Sequence, residues 1–163
     1  MAQASHIIAH ASKSIDCDYL NIKENSRFYF LDIGIAHYFI ARAGADEATI
    51  KGILAENYVC LALLRHISKD IAGNARWFAW YEKTKGELDF YVRSLVDYKN
   101  YGIEVKAGSN SGNTAEQLLT GGKIDYLYYL KGDTYGCLAG KILAVPIYLA
   151  DRISFDLDVH DTE

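Results

Sequence analysis

Two short stretches, Glu87-Leu88-Asp89-Phe90-Tyr91-Val92 and Tyr101-Gly102-Ile103-Glu104-Val105-Lys106, constrain this chain more than any other part of it. Both alternate with a period of two, the repeat of a strand and not of a helix. In the first, the period puts Leu88, Phe90 and Val92 on one face and Glu87, Asp89 and Tyr91 on the other. In the second, Ile103 and Val105 share a face, and Glu104 and Lys106 share the opposite one. The connector from Ser94 to Asn100 is short and polar, which predicts a hairpin. As neighbours, the two strands bring Asp89, Glu104 and Lys106 together.

The rest of the chain agrees with a sheet-rich domain. Thirteen Tyr stand against a single Pro; Tyr suits a half-buried pleated surface, whereas Pro interrupts ladders. With 163 residues the chain is expected to be one domain with a core of its own. Its net charge of -4 gives no long-range attraction to nucleic acid or to an anionic membrane, so any DNA contact has to come from a local basic patch. Lys83, Lys85, Arg93 and Lys99 flank the acidic strands and are the candidates for it, with solvated loop charge as their default role. Cys17, Cys60 and Cys137 show no CxxC spacing, which suggests neither a zinc site nor a disulfide framework and points to a reducing, cytoplasmic setting. The chain has no run of about 18 apolar residues, nor a basic start followed by an apolar segment, so neither membrane insertion nor secretion is expected.

In chain order, residues 2–12 are predicted as a short helix with Ile7, Ile8 and Ala11 on one side. His6 and His10 then stand one turn apart, as helix surface in preference to a metal pair, because HIIAH has no acid between them. After the polar turn at residues 21–26, Arg27 to Leu31 is a short strand. Asp32 caps a helix over about residues 33–43, with Ile35, Phe39 and Ile40 inward and Gly44 as its stop. A long helix over residues 46–69 presents Ile53, Cys60, Leu63, Leu64 and Ile67 as one stripe, with Glu56 in its middle. A carboxylate there has to be paired, neutralised or bound to a cation. It meets a Lys or Arg, lies just where the stripe becomes exposed, or is a functional acid aimed at the sheet.

Residues 76–81 read as an aromatic strand and 82–86 as a charged turn. The loop 107–114 leads into a helix over 115–120 that Gly121-Gly122 closes, and strands follow at 125–130 and 141–148. Tyr126, Tyr128 and Tyr129 are read as sheet core before base-stacking groups, and the acidic tail from Asp156 as loosely held. The expected fold is α/β, a central mixed β-sheet flanked by the Glu56 helix and the Ala115 helix.

The pattern Asp89-(x)14-Glu104-x-Lys106 has a chemical logic. Two carboxylates adjacent across paired strands can hold Mg²⁺ or Mn²⁺, since a hard cation takes oxygen ligands and keeps waters. Such an ion acidifies a bound water and neutralises charge on a phosphate. Lys106, on the face of Glu104, can orient that water or contact the phosphate.

Four stretches, Phe28 to Ile40, Gly52 to Leu64, Trp80 to Val92 and Gly102 to Ala107, resemble the C-terminal domain of unknown function found behind AAA+ ATPase modules in bacteria and archaea. That domain is similar in turn to the PD-(D/E)xK, or restriction-endonuclease-like, nucleases. The resemblance covers roughly residues 27–150, leaving 1–26 as a linking segment and 151–163 as a tail. It implies a restriction-endonuclease-like core and Mg²⁺-dependent hydrolysis of DNA phosphodiesters. Glu56 would be the helix acid, Asp89 the strand acid, Glu104 and Lys106 the ExK pair, and the Val105 carbonyl a further metal ligand. The sequence departs from the pattern in two places. Leu88 stands before the strand acid where the family name has Pro, and no GxxxxGK[ST] exists, Gly121-Gly122-Lys123 being the nearest fragment. A chain without the ATPase part is expected to be a fragment or a stand-alone relative. Gln117 sits where some relatives carry a polar site residue, but Gly121 replaces the Tyr that completes their pattern. A second reading is a catalytically silent regulatory domain that binds an AAA+ ATPase module or another protein and keeps the acids as inheritance.

Overall fold

The computed structural model describes residues 7–21, 26–66, 77–106, 113–132 and 134–158. Its elements are β1 (Ile8–Ile15), β2 (Tyr19–Asn21), β3 (Arg27–Phe30), α1 (Ile33–Arg42), α2 (Glu47–His66), β4 (Trp77–Tyr81), β5 (Gly86–Arg93), β6 (Asn100–Lys106), α3 (Asn113–Thr120), β7 (Tyr126–Lys131), β8 (Gly136–Ala139) and β9 (Ile142–Val145), then a 3-10 helix over Ile147–Arg152. The strands form one mixed sheet in the order β2-β1-β4-β5-β6-β7-β9-β8, with β3 paired to β1. β1–β4, β6–β7 and β7–β9 run parallel, and the hairpins β4–β5 and β5–β6 antiparallel. The fold is therefore α/β, with a central mixed sheet between helices.

Burial explains the layering. On one side, Val59, Cys60, Ala62 and Leu63 of α2 pack with Phe78, Phe90, Val92, Tyr101 and Ile103 of the sheet and with Phe155. On the other, Ala115 and Leu118 of α3 pack with Ala79, Tyr81, Leu88, Tyr91, Leu127 and Tyr129. Burying a Leu- or Phe-sized side chain contributes about 1.5–3 kcal/mol, so α2 and α3 are held to the sheet chiefly by these contacts. Tyr126, Tyr128 and Tyr129 are all buried, in the core role expected of them.

Several expectations need correction. Residues 8–15 are a strand, not a helix, and residues 8–21, expected as a linking segment, supply β1 and β2 of the sheet. A short apolar run fits both periods, and the partners decide: β1 lies between neighbours that take its backbone hydrogen bonds. His10 thus faces Phe28 across a ladder instead of forming a helical pair, and His6 lies outside the described residues. Asp32 does cap α1, its carboxylate accepting the Ile35 amide at 2.8 Å, yet Ala36 is the buried residue of that helix. Ile35 and Phe39 are 41% and 56% exposed, because the helical phase marks an apolar face without saying whether another layer covers it. On α2, Ile53 is likewise exposed, and Ile67 lies outside the described residues. The segment expected as one strand over 141–148 is β9 followed by the 3-10 helix, and β8 is an additional strand. The chain after Asp156 is tied down at least to Asp158, which takes Tyr126 Oη and, at 2.9 Å, the Lys99 ammonium.

A bulge in β5 shapes the site. Trp77 stands opposite Tyr91 and Ala79 opposite Leu88, so one β4 residue, Phe78, faces both Asp89 and Phe90. Strict alternation fails at that point: Leu88 joins Tyr91 in the layer under α3, whereas Phe90 and Val92 join the layer under α2. The three apolar residues expected on one face are split by the extra residue. Gly102 lies where β6 crosses Leu88, and a Cβ there would stand 2.5 Å from Ile124 Cδ1 and 3.1 Å from Leu88 Cδ2.

Candidate active site

The hairpin β5–β6 brings Asp89 to the start of the Glu104–Val105–Lys106 segment. Its register pairs Phe90 with Ile103, and Asp89 Oδ2 accepts the Val105 amide at 2.8 Å. Glu104 is only 5% exposed, at the point where β6 and β7 pair Glu104 with Tyr129. Its Oε1 meets Lys106 Nζ at 2.5 Å, while Oε2 is buried without a hydrogen-bond partner among the described residues. Burial, and next the charge of Asp89, push the Glu104 carboxyl up to about 7, against the opposing pull of Lys106.

Glu56 approaches Asp89 from α2, whereas Glu104 leaves β6 on the face of Gly102, toward the α3 layer. Its Oε1 accepts Tyr29 Oη at 2.6 Å and Arg27 Nη1 at 2.8 Å. Burial raises its carboxyl, with Asp89 adding to the rise and Arg27 opposing it. Of the readings open for Glu56, the meeting with an arginine is what the structure displays, and Asp89 is near enough for its charge to be felt. The phenol of Tyr29 is pushed up by burial and then by Glu56, so it acts as a hydrogen-bond donor here.

Arg27 is the residue that sequence reasoning missed. From β3 its Nη1 contacts Glu56 at 2.8 Å and Asp89 Oδ1 at 3.4 Å, and its Nη2 contacts Glu87 at 2.5 Å. The guanidinium also lies 4.6 Å from the centre of the Phe78 ring. Burial works against its charge, yet Glu56 and the other acids outweigh that cost and raise its pKa. A signal was present: Arg27 and Tyr29 are two apart in a predicted strand and so share a face, and Glu56 required a cation. What the sequence lacked was the pairing that sets β3 over α2, where Asn57 clips the Phe30 backbone with two 2.8 Å hydrogen bonds.

Other candidates fall elsewhere. Gln117 donates to Asn113 on the exposed side of α3. Lys85 pairs with Glu82, and Lys99 with Asp158. Lys83 and Arg93 are exposed. For Val105 the contact displayed is its amide, on Asp89. A groove of about 330 Å³ lined by Arg27, Phe28, Phe30, Ile40, Ile53 and Glu56 opens beside the cluster. No described helix is long and apolar enough to cross a membrane.

Asp89 and Glu104 are oxygen donors of the kind a hard divalent ion would take. Asp89 and Glu104 lie across adjacent strands, and a buried carboxylate oxygen without a partner is costly unless something electropositive meets it. Among the described residues no group of three or more His, Cys, Asp or Glu is arranged to hold a metal ion. Comparison of the chain with protein-family models, with curated proteins and with solved structures gave no match.

Proposed function

We propose that this chain is a divalent-metal-dependent phosphodiesterase acting on DNA, with a PD-(D/E)xK-type site on a restriction-endonuclease-like core. The observation that carries this reading is the buried, unpartnered Oε2 of Glu104 next to the anchored carboxylate of Asp89. Asp89 and Glu104, with the Val105 carbonyl, would hold Mg²⁺ or Mn²⁺. The bound ion would supply an acidified water and offset charge on the phosphate. Lys106 is held by Glu104 at 2.5 Å, a reach from which its ammonium can orient the attacking water or a phosphate oxygen. Glu56 takes Tyr29 and Arg27 and so sets the electrostatic floor of the site. The acidic chain leaves DNA capture to local cations. The test is cleavage of single- and double-stranded DNA in millimolar Mg²⁺ or Mn²⁺: activity abolished by EDTA and by Lys106→Ala supports the reading. Metal-independent or Lys106-independent cleavage defeats it.

One observation favours a silent regulatory domain, with an AAA+ ATPase as its partner. The Lys106–Glu104 pair and the Arg27 bridges satisfy most of the acids internally. Under that reading calorimetry detects no Mg²⁺ or Mn²⁺ binding at millimolar concentration.

A further inference from the structure

We propose that Arg27 is the resident counter-cation of the acid cluster, holding it assembled without metal and giving up Asp89 Oδ1 when a divalent ion enters. The inference rests on the site assignment above and adds the residue that regulates it.

The geometry is graded. Arg27 grips Glu56 at 2.8 Å and Glu87 at 2.5 Å, whereas its contact with Asp89 is the longest, at 3.4 Å. Asp89 is held independently through its other oxygen, which takes the Val105 amide at 2.8 Å. Asp89 Oδ1 can therefore change partner without the carboxylate leaving its place, while Glu56 and Glu87 keep the guanidinium nearby. A planar, multi-donor cation suits this arrangement, since an ammonium cannot bridge acids from α2 and β5 in one plane. Without Arg27, Glu56, Glu87 and Asp89 would face one another with no shared cation, and the fold would need another positive charge there. A divalent ion would serve.

The test measures Mn²⁺ binding by the loss of the free-ion electron paramagnetic resonance signal, and melting temperature in EDTA and in Mn²⁺. Wild type, Arg27→Gln, Arg27→Lys and Asp89→Asn are compared. The expected result is that Arg27→Gln melts several degrees lower in EDTA, regains most of the loss in millimolar Mn²⁺, and binds Mn²⁺ about tenfold more tightly than wild type. Arg27→Lys falls between the two, and serves in place of Arg27→Gln should that variant not fold in EDTA. Mn²⁺ affinity unchanged or weakened on loss of Arg27, a melting loss that Mn²⁺ does not repair, or binding indifferent to Asp89→Asn overturns the proposal. Binding that follows this pattern in a protein that cuts no DNA leaves the counter-cation role standing and removes the nuclease reading alone.

Discussion

The carboxylate of Asp89 accepts the backbone amide of Val105 at 2.8 Å, so the strand acid is fixed to the peptide that follows Glu104. The bond crosses from β5 to β6 beside the bulge, and it turns two separate sequence positions into one rigid unit. Asp89→Ala leaves that part-buried amide unpaired and is expected to cost about 1–3 kcal/mol in urea unfolding. Asp89→Asn keeps a carbonyl acceptor and should cost less. Equal losses in the two variants would show that the charge on Asp89, and not this hydrogen bond, stabilises the hairpin.

The pH dependence of stability should carry the signature of Glu104. Its folded carboxyl sits at about 7 against an ordinary 4.5, through burial first and Asp89 second. The folded state therefore binds the proton more tightly than the unfolded state does. The stabilisation is full below about 4.5 and is lost as pH rises through about 7, with a size on the order of 3 kcal/mol. The raised Glu56 carboxyl acts in the same direction. Asp89 and Lys106 face Glu104 and set the balance. Melting in EDTA between pH 5 and 8 should show wild type losing stability, and Glu104→Gln should flatten much of the slope. A wild-type slope of the opposite sign would contradict the placement of Glu104.

Asn57 is expected to matter more than any exposed residue of α2. It is 3% exposed and both donates to and accepts from the Phe30 backbone at 2.8 Å. Asn57→Ala should cost about 2 kcal/mol by denaturant titration. Asn57→Asp keeps the acceptor but loses the donor, and should not restore wild-type stability. Because the clip positions β3, either change should also weaken the Arg27 contacts.

Gly102 tests the closeness of β6 to the α3 layer. The 2.5 Å approach to Ile124 has to be relieved by a side-chain shift, so Gly102→Ala should cost roughly 1–3 kcal/mol, read as a lower melting temperature. Pairing it with Ile124→Val should recover part of the loss, since the mutation shortens the offending branch.

How far the sequence foretold all this depends on which interactions are local. The hairpin, and Glu104 with Lys106 on one face of β6, were legible because a period of two carries its own face assignment and the connector is short. The Asp32 cap was legible for the same reason, its partner being three residues away. The bulge was not, because Leu88, Asp89 and Phe90 read the same with or without an unpaired residue opposite Phe78. β1 was misread since its strand character comes from β3 and β4, which lie far along the chain. The short strands β2 and β8 carry too few residues to show a period at all. Glu56 could be identified as an acid in need of a partner, but Arg27 could not be named as that partner without the tertiary pairing.

The Arg27 bridges also say when the site comes into being. They join residues 29, 60 and 62 positions apart, and contacts across such separations require large loops to be closed before they return any stabilisation. Local turns and the β5–β6 hairpin can form earlier. Loss of the Arg27 bridges should then leave the refolding rate nearly unchanged and appear as faster unfolding. Kinetically, the acid cluster is a clasp fastened last, and the lifetime of the native state depends on it more than the speed of reaching that state does.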